Sequence, residues 1–382
     1  MQSRNWLNWG IVLGALIFTA SGGRTIAYAQ TSQEPIKIGA VLSITGAAAG
    51  LGVPERNGAL VAEKAINARG GIKGRPIKLI VEDDTTNPDV AVSKANDLIF
   101  NQKVVALLGG TNIAPTVAMG GITEKVKLPQ FAFTGLGPAV ERTRKCVFHM
   151  FTPHDLNART LFEYARVLKA KKVAVLHDSG YGAVVMRELT NVMKNYPDIQ
   201  VLAVEKFELS ATDVTAQAAK IKAVEPEAIF VIAVTATPFR SIRQLQMTQP
   251  IIALNGASSY EIVNAMGSAA NDVIFPEFLV FEDPLPHQKE FINLVMKETG
   301  TKAKNPESVA WDAMHVIAAA LEKAGPDAGN EKLCETIRGP YKGVTTDYDF
   351  SADDMTGIKL SGYIFSKLVN GQYTRLPTRL ND

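Results

Sequence analysis

Apolar and polar positions alternate in blocks along most of this chain. Ile36–Ser43 (IKIGAVLS) reads as a strand. Val53–Arg69 repeats its apolar residues at helical spacing and ends at Gly70-Gly71, a C-cap and turn. Pro76–Asp83 predicts the next strand, and Asn87-Pro88 opens a helix over Pro88–Asn101. Val104–Gly109, Ala114–Lys127 and Leu128–Phe133 continue the alternation. Strands this apolar, spaced by helices, predict a parallel sheet covered on both faces.

After Cys146–Phe151 the pattern restarts with a helix over Asp155–Leu168 and a strand over Lys172–His177. Tyr181–Asn195, Val201–Phe207, Thr212–Val224, Ala228–Ala233, Pro238–Met247 and Ile251–Leu254 repeat the unit. The fold class is therefore α/β, with two doubly wound parallel-sheet lobes in tandem. The remainder differs: an extended Phe278–Phe281, helices at Pro286–Glu298 and Pro306–Lys323, then short strands within Tyr341–Phe350, Gly362–Lys367 and Gln372–Leu376. Such a tail returns to both lobes, so the chain crosses between them more than once. The crossings are expected near Thr152-Pro153, Phe278–Glu282 and Asp349–Ser351. They divide the chain into a first lobe of 30–152 plus 282–350 and a second of 153–281 plus 351–382. Several short crossings make a hinge that can close around a ligand.

The first 29 residues read differently. Arg4 precedes an apolar run, Ile11–Ala20, and Ala27-Tyr28-Ala29 supplies the small-x-small pattern of a cleavage site. A membrane-spanning helix needs roughly 20 apolar residues, about twice this run. A signal peptide cleaved near Ala29 is expected, and hence a periplasmic product without direct membrane insertion. Cleavage removes Arg4 and Arg24 from a chain of net charge +2. With no charge run left, nucleic acid is not an expected partner. The first cysteine is Cys146, far from the cleavage site, so a lipid-anchored N-terminus is not expected. Cys146 and Cys334 are the only two cysteines, and the sequence leaves open whether they form a disulfide or stay as two buried thiols.

No catalytic, metal or cofactor set emerges. Gly46, Gly50 and Gly52 follow the first strand where a dinucleotide fingerprint would lie, but Glu55 occupies the third glycine's position. Glu82, Asp83 and Asp84 read as a solvated turn with caps rather than a metal site. His149 and His154, five apart in a segment expected to be extended, make poor joint ligands. His177-Asp178 has no nucleophile motif to serve.

Several segments together carry a family resemblance: Ile66–Gly74 (INARGGIKG), Glu82-Asp83-Asp84 with Asn87-Pro88, Leu42-Ser43 with Thr45-Gly46, and His177-Asp178 with Tyr181-Gly182. From about Ile36 onward the chain resembles the periplasmic solute-binding proteins of hydrophobic (branched-chain) amino acid ABC transporters. The resemblance implies a type I fold with a three-segment hinge and a small-molecule ligand between the lobes. It also implies delivery to a permease and ATPase complex by a monomer that is not an enzyme. A periplasmic sensor feeding a membrane receptor is the alternative on the same fold.

In open parallel sheets, ligands sit beyond the C-terminal strand ends, beside helix N-termini. The expected ligand-binding residues are Ser43, Leu51, Asn112, Ile113, Ala114, Thr134, Gly135, Leu136, Phe151, Tyr181, Ala236, Asn255 and Ser258. By the resemblance, Asn255 stands where the family commonly places an acid for the ligand's ammonium. Leu136 replaces a threonine, and Leu51 and Ala236 replace aromatics. A neutral amide cannot pair an ammonium. The expected ligand is therefore a carboxylate without an α-ammonium, an aromatic or other apolar acid stacked by Phe133, Phe151 or Tyr181. Leucine, isoleucine or valine is the other reading.

Overall fold

The structure is a computed structural model describing residues 34–136, 143–353 and 355–382. The expected signal peptide lies outside the described residues.

The first lobe is built from β1 (Ile36–Leu42), α1 (Ala49–Ala68), β2 (Ile77–Asp83), α2 (Pro88–Asn96), β3 (Leu107–Leu108), α3 (Ile113–Lys125), β4 (Gln130–Ala132) and β5 (Val147–His149). Its five strands pair in the order β2-β1-β3-β4-β5, every pair parallel. Local chemistry explains the helix starts. At α2, Asn87 Oδ1 accepts the Asp89 N–H at 2.8 Å and Pro88 sits where no intrahelical donor is needed.

The second lobe contains α4 (His154–Val167), β6 (Lys172–Asp178), α5 (Tyr181–Val192), β7 (Gln200–Phe207), α6 (Thr215–Ala223), β8 (Ala228–Ile232), α7 (Thr237–Gln244), β9 (Ile251–Ala253), α8 (Tyr260–Met266) and β10 (Ile274–Glu277). Its parallel strands run β7-β6-β8-β9-β10, the same winding as the first lobe. β8 (AIFVI) is buried at every position, as a central strand covered on both faces must be.

The tail completes both lobes. α9 (Lys289–Thr299) and α10 (Asn305–Ala324) return to the first lobe. A Cβ at Gly58 of α1 would lie 2.1 Å from the Glu307 carbonyl, so only glycine lets α10 approach this closely. α11 (Asn330–Ile337) is tied to the start of β5 by the Cys146–Cys334 disulfide, whose Cα atoms stand 5.6 Å apart. A hairpin, β11 (Pro340–Lys342) with β12 (Asp347–Asp349), follows. β13 (Ile364–Val369) and β14 (Gln372–Leu376) then extend the second sheet antiparallel beyond β10.

The last connection leaves the first lobe later than Asp349–Ser351. The His149 N–H on β5 donates to the Met355 carbonyl, and Gly357 N–H to the His149 carbonyl. The chain therefore remains on the first sheet through Gly357 and reaches the second only at β13.

Candidate functional site

Because both sheets wind in the same order, each has its switch point between its first and third strands: β1 and β3, and β6 and β8. Loops leaving neighbouring strands there diverge to opposite faces and open a crevice. In the second lobe Asp178 builds that crevice. Its carboxylate accepts the N–H groups of Gly180 and Gly182, each at 2.8 Å, and of Val234 at 3.3 Å, pinning the loop after β6 to the loop after β8. Gly182 is required because a Cβ there would meet the Ile232 carbonyl at 2.2 Å. Tyr181 is thereby fixed at the head of α5, half-buried. Its hydroxyl accepts from Asn157 Nδ2 at 3.1 Å, and Asn157 Oδ1 accepts from Tyr363 at 3.2 Å. Burial, then the nearby Asp178 charge, raises the Tyr181 pKa, so the phenol stays neutral.

The first lobe's switch point is a buried polar network. Ser43 is fully buried. Its hydroxyl donates to Asp84 Oδ1 at 2.7 Å, and its N–H goes to Thr111 Oγ1 at 3.0 Å. Thr111 in turn donates to Glu55 Oε2 at 2.6 Å. Burial pushes the Glu55 pKa up to about 8, against the Thr111 hydrogen bond, with the charges of Asp84 and Glu307 adding to the rise. The acidic triplet is structural: Asp83 accepts from the N–H groups of Ile44, Thr45 and Thr85, and Glu82 pairs with Lys94.

The expected site residues divide accordingly. Ser43 lies at the β1 end, but its hydroxyl belongs to the Asp84 network, an interaction across 41 residues that local sequence does not display. Leu51 is exposed. Asn112, Ile113 and Ala114 form the start of α3, half-buried or exposed, and the Asn112 side chain makes no capping hydrogen bond. Thr134, Gly135 and Leu136 follow β4, with Gly135 packed on the first crossing: a Cβ there would lie 2.6 Å from the Thr152 carbonyl. Phe151 is half-buried on that crossing, whereas Phe133 is in the core and does not offer a stacking face.

Ala236 is the buried N-cap of α7. Asn255 and Ser258 are buried after β9. Asn255 Nδ2 donates to the Pro276 carbonyl at 3.3 Å, and Ser258 Oγ to the Asn255 carbonyl at 2.8 Å. Both face β10 and its buried acid, Glu277, whose pKa burial raises against the pull of Lys304, Asn305 and Ser258. Lys304 Nζ stands 3.3 Å from Glu277 Oε1, and Asn305 donates to Oε2 at 3.0 Å. No local motif marks Glu277, Lys304 and Asn305, because the acid lies 27 and 28 positions from its partners and meets them only through the crossing. His154, expected in an extended segment, is the first residue of α4.

A separate open pocket of about 190 Å³ lies beyond the far end of α1, lined by Arg69, Phe291, Trp311, His315 and Tyr341 among others. Its Arg69 is already engaged with His315 Nε2 at 3.1 Å. Its lining includes no residue of the loops that follow β1, β3, β6 or β8.

The family pattern described as "Periplasmic binding protein" matches residues 35–366, nearly all of the described chain. The chain belongs to the periplasmic binding protein family. An amino acid binding protein of Pseudomonas aeruginosa is 29% identical over 352 residues, covering 90% of this chain and 92% of that protein. A leucine-, isoleucine-, valine-, threonine- and alanine-binding protein of the same organism is 26% identical, covering 84% and 87%. Among solved structures, the substrate-binding protein LivJ of Streptococcus pneumoniae in complex with isoleucine superposes with a TM-score of 0.76 at 22% identity, over 90% of this chain and 100% of that one. The leucine-binding protein LivK of Thermotoga maritima gives 0.73 at 23%, over 89% and 97%. The fold expected from INARGGIKG and its companion segments is thus the fold observed: two parallel-sheet lobes of the type I kind.

Proposed function

We propose that this chain is the exported ligand-capturing component of an ABC importer of the branched-chain amino acid type. Its ligand is a small apolar or aromatic carboxylate without an α-ammonium. The two lobes close on it about the three crossings and then present it to a permease and ATPase complex. The residues named for the task are the N–H groups around Asn112–Ala114 and Thr134–Leu136 in the first lobe, with Tyr181, Ala236 and Asn255 in the second. No bond is made or broken in capture.

The observation that carries the ligand class is the state of the second lobe's acids. Asp178 holds three backbone N–H groups, Glu277 holds Lys304 and Asn305, and Glu282, at the second crossing, holds Tyr260 and Lys302. Asn255 itself is a neutral amide and brings no charge to pair an ammonium, and the nearby carboxylates already have partners, so an ammonium desolvated beside Asn255 would be poorly compensated, at a cost on the order of several kcal/mol. The second reading, an amino acid such as leucine, isoleucine or valine, is favoured by the names of the two Pseudomonas relatives.

A thermal-shift panel of benzoate, phenylacetate, the α-keto acid of leucine, L-leucine and L-valine separates the readings, since a ligand raises apparent stability by mass action. The acids are expected to raise the melting temperature and the amino acids to leave it unchanged. Stabilisation by leucine alone overturns the ligand class, and product formation from any of them overturns capture without chemistry.

A further inference from the structure

The open pocket beyond α1 has an aromatic floor. Trp311 is 5% exposed, with His315 against it at a ring-centroid distance of 4.3 Å and Phe291 tilted against it at 5.2 Å. His315 is locked in place: its Nδ1–H donates to the Trp311 carbonyl at 2.9 Å, and its Nε2 accepts from Arg69 at 3.1 Å. Burial first, and then the Arg69 charge, lower its pKa against the pull of the Trp311 carbonyl and Glu290, so the ring is neutral. Another wall is the turn between β11 and β12. Asp312 pins it, one carboxylate oxygen accepting the Val344 N–H and the other the Thr345 N–H, each at 2.8 Å. The concavity is therefore formed by the protein's own contacts before any ligand arrives.

The polar side chains around this floor are free. Among the described residues, nothing hydrogen-bonds the side chains of His287, Glu290, Tyr341 or Lys342. Burial, and then the Asp312 charge, raise the Tyr341 pKa, so its hydroxyl keeps a proton to donate. Arg69 spends its Nε on the Ala65 carbonyl and one Nη on His315, which leaves the other Nη as a donor. The charges balance, Arg69 and Lys342 against Glu290 and Asp312, so an ion gains no net attraction here. A neutral molecule with hydroxyl groups around an apolar face suits both features, because each hydroxyl can donate to Glu290 or accept from Arg69.

We propose that this pocket is a second binding site, for a single neutral sugar unit, with hydroxyls on Arg69, Glu290 and Tyr341 and a C–H face on the aromatic floor. Its volume of about 190 Å³ lies below the roughly 300–1,000 Å³ of ordinary small-molecule sites, which limits the occupant to one such unit. The inference does not depend on what the two lobes capture between them.

Trp311 reports on the site directly. Trp6 and Trp9 belong to the segment expected to be cleaved, and Trp311 is the only other tryptophan. Its fluorescence in the mature chain is titrated with glucose, galactose, mannose and ribose. Glycerol at the same concentrations controls for solvent, and sodium phosphate for ions. At least one sugar is expected to change the emission saturably, with calorimetry on the same samples showing binding. Glu290 is exposed and holds no hydrogen bond, so Glu290→Ala should leave the melting temperature in place. It should weaken the sugar's binding about tenfold, the worth of one hydrogen bond to a charged group. Tyr341→Phe keeps the ring, loses the hydroxyl and should weaken binding by a smaller factor. No saturable response to any of the four sugars, an equal response to phosphate, or sugar binding unaffected by both variants overturns the inference.

Discussion

Glu55 sits where a third loop glycine would have completed a dinucleotide-binding turn, and its burial makes it a proton-holding side chain. Its pKa lies near 8 in the fold, against 4.5 ordinarily, and neighbouring Glu307 is lifted by burial to about 7. Between about 4.5 and 8 the folded chain keeps a proton that the unfolded chain has released. Glu55 therefore costs stability progressively as pH rises through that window, and costs nothing below it. Glu55→Gln should flatten the fall in melting temperature between pH 5 and pH 8, leaving the smaller slope due to Glu307 and to Asp312, which burial raises to about 6. An unchanged slope in the variant would show that Glu55 is ionised in the fold. The identity of residue 55 was legible in the sequence, but its protonation was not. That depends first on burial, with Thr111 opposing and Asp84 adding, and all three arise only when β1, β2 and β3 lie side by side. Ser43 gives the same lesson: its place at a strand end was readable, while its donation to Asp84 was not.

At the scale of elements, the alternation of strand and helix was legible wherever a segment was long and strongly patterned, from β1 to β9. Elements that escaped are short or carry mixed signals. β10 contains Pro276, α8 is seven residues between Ser259 and Gly267, and α11 is eight residues with a polar face. Overlooking β10 hid Glu277, and with it the anchorage of the second crossing. Asn305 Oδ1 accepts the N–H groups of Phe278 and Leu279, and Gln288 Nε2 donates to the carbonyls of Phe278 and Val344. Phe278 also packs on Tyr363, centroids 4.5 Å apart, so the second and third connections lie against each other. The Glu277–Lys304 pair at this junction is almost wholly buried, with Lys304 Nζ 3.7 Å over the Tyr373 ring. Lys304→Met strands the Glu277 carboxylate and should cost about 3–5 kcal/mol in denaturant unfolding. Adding Glu277→Gln should return most of that loss. A Lys304→Met chain as stable as the parent would mean that the pair does not hold the junction.

For the whole molecule, the repeated winding β2-β1-β3-β4-β5 and β7-β6-β8-β9-β10 sets two switch points on strand ends joined by short connections. This repetition was readable from the sequence because each unit is local. The third connection runs past Asp349–Ser351 because Met355 and Gly357 bind to β5 through backbone groups, which no side-chain pattern records. Capture between two lobes requires that a ligand touching both favour the closed arrangement over the open one. Small-angle X-ray scattering of the mature chain, with and without the acid that gives the largest thermal shift, tests this directly. The radius of gyration is expected to fall with added ligand and to saturate at one ligand per chain. An identical radius of gyration with the ligand demonstrably bound would contradict it.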